Sequence, residues 1–223
     1  MSLPQNVQLE VSGLLFDMDG VLISSMGSVE RSWSRYAKMR GLDPTLTIQA
    51  AHGRRAIETV RHLCPHLDDK AELRVIEQFE VDDNEGLVVL PGVRDLLRSL
   101  PAHTWTIVTS ATERLARSRL AHAGITPPEK FITSEMVAEG KPHPEPYRRG
   151  AQLLGLDPKN CLVIEDAPAG VGAGKAAGCH VLALVTTHPE ASLRAADWRV
   201  ESLSEVKAKV TGQQVVVSFT PHP

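Results

Sequence analysis

The chain has 223 residues, about one and a half typical domains, which is long enough to bury a full core. Lys and Arg number 24 against 27 Asp and Glu, a net charge of −3, and this balance argues against nucleic acid or an anionic membrane as the main partner. With 42% hydrophobic and 23% charged residues, disorder is excluded for most of the length, and 4% aromatics leave few rings for stacking bases. Residues 13–16, Gly-Leu-Leu-Phe, form an apolar run that stops abruptly at Asp17-Met18-Asp19-Gly20, the pattern of a buried parallel strand reaching a turn. Met26, Val29, Trp33 and Ala37 recur at helical spacing over about residues 26–40. Ile57, Val60 and Leu63 do the same before Cys64-Pro65, and Leu73, Ile76 and Phe79 mark a helix over about 68–80. Residues 24–88 therefore read as helix only.

After Leu90-Pro91-Gly92 strand and helix alternate. The pattern predicts helix 93–100, strand 104–109, helix 112–123 stopped by Gly124, a short strand at Phe131-Ile132 and helix 145–154 stopped by Gly155. Strand 161–165, helix 168–177 stopped by Gly178, and strand 181–185 follow, with a late edge strand over 213–219. Such alternation specifies an α/β fold, a doubly wound, Rossmann-like parallel sheet with helices on both faces. Its ligands bind outside the carboxyl ends of the strands, at a topological switch point. The segment 24–88 interrupts the alternation as an inserted α-helical cap over that edge. Cys64, Cys161 and Cys179 are odd in number and without a CxxC pair, so they read as buried thiols in a reducing compartment. No run approaches the roughly 18 apolar residues of a membrane span, and the first ten residues lack an export signal. A soluble cytoplasmic protein is the expectation.

Asp17 and Asp19, two apart at a strand's end, can point to the same side. Such a pair suits a nucleophile with an acid/base partner, or the holding of a hard cation. Glu165 and Asp166 end a second strand and should reach the same edge, where four carboxylates would repel unless a cation lay between them. Mg²⁺ is the economical one, because it accepts one or two carboxylates together with phosphate oxygens and water. Thr109 and Ser110, with the free amides of the helix that follows, form an anion-binding corner. Lys141 opens Lys-Pro-His-Pro-Glu-Pro-Tyr, where three prolines stiffen the loop and fix a positive charge for phosphate. Gly172-Ala-Gly174-Lys-Ala-Ala177 imitates a dinucleotide motif, but the acids just upstream would repel a pyrophosphate, and small residues packing a helix onto the sheet explain it.

Phe16-Asp17-Met-Asp19-Gly20-Val21-Leu22, Val108-Thr109-Ser110, Lys141-Pro142 and Val163-Ile164-Glu165-Asp166-Ala-Pro-Ala-Gly170 stand in the order of the four motifs of the haloacid dehalogenase superfamily, which the chain resembles over nearly its whole length. The resemblance implies a core of residues 1–23 and 89–223 with a helical cap of 24–88. It implies that Asp17 is a nucleophile forming an aspartyl-phosphate, with Asp19 the general acid/base, and that Ser110, Thr109 and Lys141 bind phosphate. It also implies a Mg²⁺ site made by Asp17, the backbone carbonyl of Asp19, Asp166, and Glu165 directly or through water. Dehalogenases lack the second aspartate, so Asp19 points to phosphoryl transfer. β-Phosphoglucomutases carry a cap histidine where this chain has Val29, which favours a phosphatase over a mutase. The stretches His52-Gly-Arg54-Arg55-Ala56 and Gly140-Lys-Pro-His-Pro-Glu-Pro-Tyr147 are similar to the bacterial sugar phosphatases and the yeast glycerol-phosphate and 2-deoxyglucose-6-phosphate phosphatases. Many relatives have Asp-Ser where this chain has Ser24-Ser25. Residues 31–61 hold seven Arg or Lys against two acids, and 68–85 hold eight acids against two bases. His52, Arg54 and Arg55, at a helix start after an apolar stretch, are candidates for contacts to sugar hydroxyls or the bridging region of the substrate. The expected activity is Mg²⁺-dependent hydrolysis of a small sugar or polyol phosphate by a monomer. A sugar-phosphate mutase and a phospho-acceptor regulatory module are the alternatives.

Overall fold

The computed structural model describes residues 6–222. Residues 1–5 and 223, parts of the expected core and of the N-terminal stretch read for an export signal, lie outside it. In chain order, β1 (Val7–Val11), β2 (Gly13–Phe16) and β3 (Ile23–Ser24) precede four helices, α1 (Met26–Arg40), α2 (Pro44–Ala51), α3 (Ala56–Leu63) and α4 (Asp69–Asp82). Then come β4 (Val88–Val89), α5 (Val93–Ser99), β5 (Trp105–Ile107), α6 (Glu113–His122) and α7 (Glu145–Leu153). The chain ends with β6 (Cys161–Glu165), α8 (Pro168–Ala177), β7 (His180–Leu184), β8 (Trp198–Val200), β9 (Lys207–Thr211) and β10 (Gln214–Phe219).

The main sheet has the order β5-β2-β6-β7-β8, and every pairing in it is parallel. All four residues of β2 are buried because helices cover both faces. Leu14 and Phe16 point to a cluster with α5 and α6, while Leu15 points to one with α7 and α8. The order reverses on either side of β2, so its carboxyl end is the switch point where doubly wound sheets bind ligands. Gly174 of α8 packs directly on the sheet: a Cβ there would lie 2.8 Å from a methyl of Val181. The small-residue run is therefore helix packing.

Helices α1–α4 enclose a core of their own around Trp33, Tyr36, Val60, Cys64 and Ile76. The opposed charges of this segment meet within it, as Arg31 pairs with Asp83 at 2.7 Å and Arg40 with Glu72 at 2.6 Å. Capping fixes the helix starts: Asp43 accepts from the Leu46 amide ahead of Pro44, and Asp68 from that of Ala71.

Several expectations need correcting. The segment 24–88 is not helix throughout, because Ser24 and Val88 belong to a two-residue antiparallel pair, β3 with β4, that ties the ends of the insertion together. Helix α2 is an element for which the apolar spacing gave no separate prediction. The strand at 131–132 is a single bridge from Ile132 to Val108. Residues 214–219 do not edge the main sheet; β10 is the centre of a separate antiparallel sheet, β1-β10-β9, whose Val215, Val217 and Phe219 close the α5/α6 side of the core. All three cysteines are buried and unpaired, and among the described residues no helix is long and apolar enough to cross a membrane.

Candidate active site

Strand β2 delivers Asp17 to the switch point, where its amide donates to the Ile164 carbonyl of β6 at 3.0 Å. The chain then turns sharply. Gly20 has φ +78°, and a Cβ there would run into the Asp166 carboxylate. Strand β6 brings Glu165 and Asp166 alongside, and the loop before α7 inserts Lys141. Asp17, Lys141, Glu165 and Asp166 are all at least nine-tenths buried.

The ammonium of Lys141 donates to Asp17 at 2.7 Å, to Glu165 at 2.7 Å and to the Val108 carbonyl at 3.0 Å, which uses all three of its protons. Glu165 is also saturated. One of its oxygens accepts from Lys141 and from the Tyr147 hydroxyl at 2.8 Å, and the other from the Asp166 and Ala167 amides. Asp166 accepts from Thr187. Asp17, Glu165 and Asp166 each offer an oxygen within 4.8 Å of the others. Three buried carboxylates thus face one ammonium. Burial, with the neighbouring Glu165, pushes both Asp17 and Asp166 above the ordinary aspartate value, against the pull of Lys141. A hard divalent cation would relieve this excess, and Asp17 and Asp166 are the carboxylates with oxygens to spare.

Asp19 stands at the rim, held by Arg119 of α6 at 2.9 Å, and the same guanidinium reaches Glu80 of α4 at 3.2 Å. Between the sheet edge and the cap lies a cavity of about 110 Å³. Asp17, Asp19, Ser110 and Lys141 form its floor, and Val29, Trp33, His52 and Arg54 belong to its cap wall. Ser25, from the variant Ser24-Ser25 pair, lines it as well.

Some expected site residues sit differently. Thr109 turns its hydroxyl to the Ala111 amide. Two of the first amides of α6 are taken: Thr112 caps that of Leu115, and Glu135 accepts from that of Glu113. Thr109 and Ser110 both line the cavity at this corner, and the Thr109 hydroxyl, accepting from Ala111, keeps its proton to donate. His52 is not at a helix start but closes α2; its Nε2 is buried without a partner among the described residues, and its ring meets that of His188 edge-on at 6.2 Å. Burial and His188 hold the His52 imidazole below its ordinary value. Arg55 does not reach the cavity. Its guanidinium pairs with Glu58 and donates to the carbonyls of Ser134, Val137 and Ala138, strapping the cap to the loop that leads to Lys141. Sequence reasoning missed Arg119, Glu80 and Tyr147. The signal for Arg119 is its place on the apolar face of α6, three and four residues after Ala116 and Leu115.

The sequence matches the haloacid dehalogenase-like hydrolase family over residues 11–178. It is 42% identical over 203 residues to hexitol phosphatase A of Escherichia coli K12, covering 89% of this chain and 94% of that protein. To glycerol-1-phosphate phosphohydrolase 2 of Saccharomyces cerevisiae it is 36% identical over 193 residues, 81% of this chain and 77% of that one. The crystal structure of β-phosphoglucomutase from Clostridium difficile superposes with a TM-score of 0.75 at 23% identity, covering 88% and 93% of the two chains, which is a likeness of fold.

Proposed function

The chain belongs to the haloacid dehalogenase-like hydrolases, and from that premise we propose that it is a Mg²⁺-dependent phosphatase hydrolysing small sugar or polyol phosphate monoesters through an aspartyl-phosphate on Asp17. The observation that carries this reading is the buried set of Asp17, Asp166 and Lys141 at the switch point, beneath a cavity sized for a small leaving group. The relatives that act on hexitol and glycerol phosphates support the substrate class.

In the first step a carboxylate oxygen of Asp17 attacks phosphorus, the ester P–O bond breaks, and the departing alkoxide takes a proton from Asp19. In the second, water attacks the phosphorus of the acyl phosphate and gives a proton to Asp19; the bond to Asp17 breaks, and inorganic phosphate leaves. Positioned acid or base groups supply roughly 10²–10⁴ of the acceleration. Phosphate monoesters need up to ~10²¹, so most must come from electrostatic stabilisation and alignment. Lys141, Ser110 and Thr109 are the residues proposed to meet the phosphoryl oxygens. Mg²⁺, held by Asp17, Asp166 and the Asp19 carbonyl, supplies further positive charge at the phosphoryl group when bound. Glu165, its oxygens already taken by Lys141, Tyr147 and two amides, orients Lys141 and would serve the ion directly or through water. His52 and Arg54 are proposed to contact substrate hydroxyls. The cap, residues 24–88, admits substrate by moving against the core of 1–23 and 89–223. All the residues proposed for the site belong to one chain, which supports a monomer, and the buried thiols support a cytoplasmic location.

The test is phosphate release from hexose, deoxyhexose, hexitol and glycerol phosphates with Mg²⁺. Asp17→Asn should abolish turnover, and EDTA should do so reversibly; retained activity in either case overturns the mechanism. Isomerised product from β-glucose 1-phosphate would favour a mutase instead.

A further inference from the structure

We propose that Arg119 is a positioning residue for Asp19: a core-borne guanidinium that fixes the carboxylate handling the leaving-group proton and is itself held from the cap side by Glu80. The inference rests on the reading of Asp19 as proton donor and acceptor.

Arg119 is an unusual occupant of its place. It lies on the apolar face of α6 with Leu115, Ala116 and Leu120 and is 2% exposed. A buried guanidinium is unfavourable by several kcal/mol unless it is paired, and an apolar side chain would serve the packing as well. Its polar partners are Asp19 at 2.9 Å and Glu80 at 3.2 Å, residues from opposite sides of the cavity. Asp19 needs such a partner. Its backbone is set by the turn in which the Gly20 amide donates to the Ile23 carbonyl and the Leu22 amide to that of Met18. Its side chain, however, is 28% exposed, and among the described residues Arg119 is the only group that hydrogen-bonds it. Without Arg119 the carboxylate would be free to rotate toward solvent. With it, one oxygen is anchored and the other is left for the proton. Glu80, 5% exposed on α4, holds the second arm of the guanidinium and so keeps the fork from turning after Asp19 moves.

A merely structural arginine and a positioning one differ in how their loss depends on the leaving group. An alkoxide leaves poorly unless it is protonated, whereas a nitrophenolate leaves well without help. The experiment compares kcat/KM for a hexitol phosphate and for 4-nitrophenyl phosphate in wild type, Arg119→Met, Arg119→Lys and Asp19→Asn. This constant reports transfer to Asp17 and not hydrolysis of the intermediate, and its ratio between two substrates is independent of the folded fraction. Arg119→Met should lower the hexitol phosphate value about 10²-fold more than the nitrophenyl value, as Asp19→Asn should, and Arg119→Lys should fall between wild type and Met. An unchanged ratio in both Arg119 variants, alongside a changed ratio in Asp19→Asn, overturns the role of Arg119 alone. An unchanged ratio in Asp19→Asn overturns the acid/base reading itself, and the inference with it.

Discussion

Replacing Arg55 with alanine removes the strap between the cap and the loop that carries Lys141. The guanidinium donates to the Val137 and Ala138 carbonyls at 2.9 Å and to that of Ser134 at 3.3 Å, and it pairs with Glu58, whose carboxylate also accepts from the Gly140 amide at 3.3 Å. Hydrogen bonds from a charged donor contribute about 1.5–3 kcal/mol each. The full sum is not lost, because the freed carbonyls rehydrate once the cap loosens, and the long bond to Ser134 is weak. A net loss of about 2–4 kcal/mol in docking the cap onto this loop follows, with Arg55→Lys intermediate because a lysine lacks the planar fork. Hydrogen exchange read by mass spectrometry is the direct assay. Amides of residues 134–140 and of the start of α3 should exchange faster in Arg55→Ala, while those of β2 and β6 keep their protection. Because that loop carries Lys141, kcat/KM should also fall, by about 10- to 100-fold. Unchanged exchange over 134–140, or equal loosening of the central strands, would refute the strap.

Without divalent cation, stability should fall as pH rises above the ordinary aspartate value of 3.8, because Asp17 and Asp166 keep in the folded state protons that the unfolded chain has released. Melting in EDTA at about pH 5 and about pH 8 checks this: the protein should melt lower at the higher pH, and added Mg²⁺ should restore more there. Gly170→Ala should abolish most activity while the fold persists, because a Cβ at Gly170 would fall on the Glu165 carboxylate that orients Lys141; circular dichroism alongside turnover separates the two effects. Cys161 and Cys179, pushed by burial up to about 12, should resist alkylation at about pH 8 in the native protein and react only on unfolding.

The catalytic edge was legible in the sequence because it follows from short-range rules. An all-apolar four-residue run cut off by an acid is a buried strand ending at the ligand edge of the sheet, and two such strands in an alternating chain place Asp17 and Asp166 together whatever the loops do. Helical spacing located α1, α3 and α4, and the opposed charges of the cap meet in part within it, as Arg31–Asp83 and Arg40–Glu72, and in part across to α6, as Glu77–Arg114 and Glu80–Arg119. The small sheet was less legible. Val7, Leu9 and Val11 alternate as a half-buried strand should, but alternation does not say which sheet a strand joins.

The layering and the residues at strand ends were legible because both are set by hydrophobic periodicity, a property local to the chain. Docking of the layers, by contrast, sets where long side chains spend their charge. Arg54 and Arg55 are neighbours, yet one lines the cavity and the other clasps the core. Glu165 and Asp166 are neighbours, yet one is saturated and the other keeps oxygen to offer. Arg119 meets Asp19 across 100 residues of chain, and Lys141 meets Asp17 across 124. Such partnerships depend on how the layers dock to within an ångström, and no spacing along the chain encodes that distance.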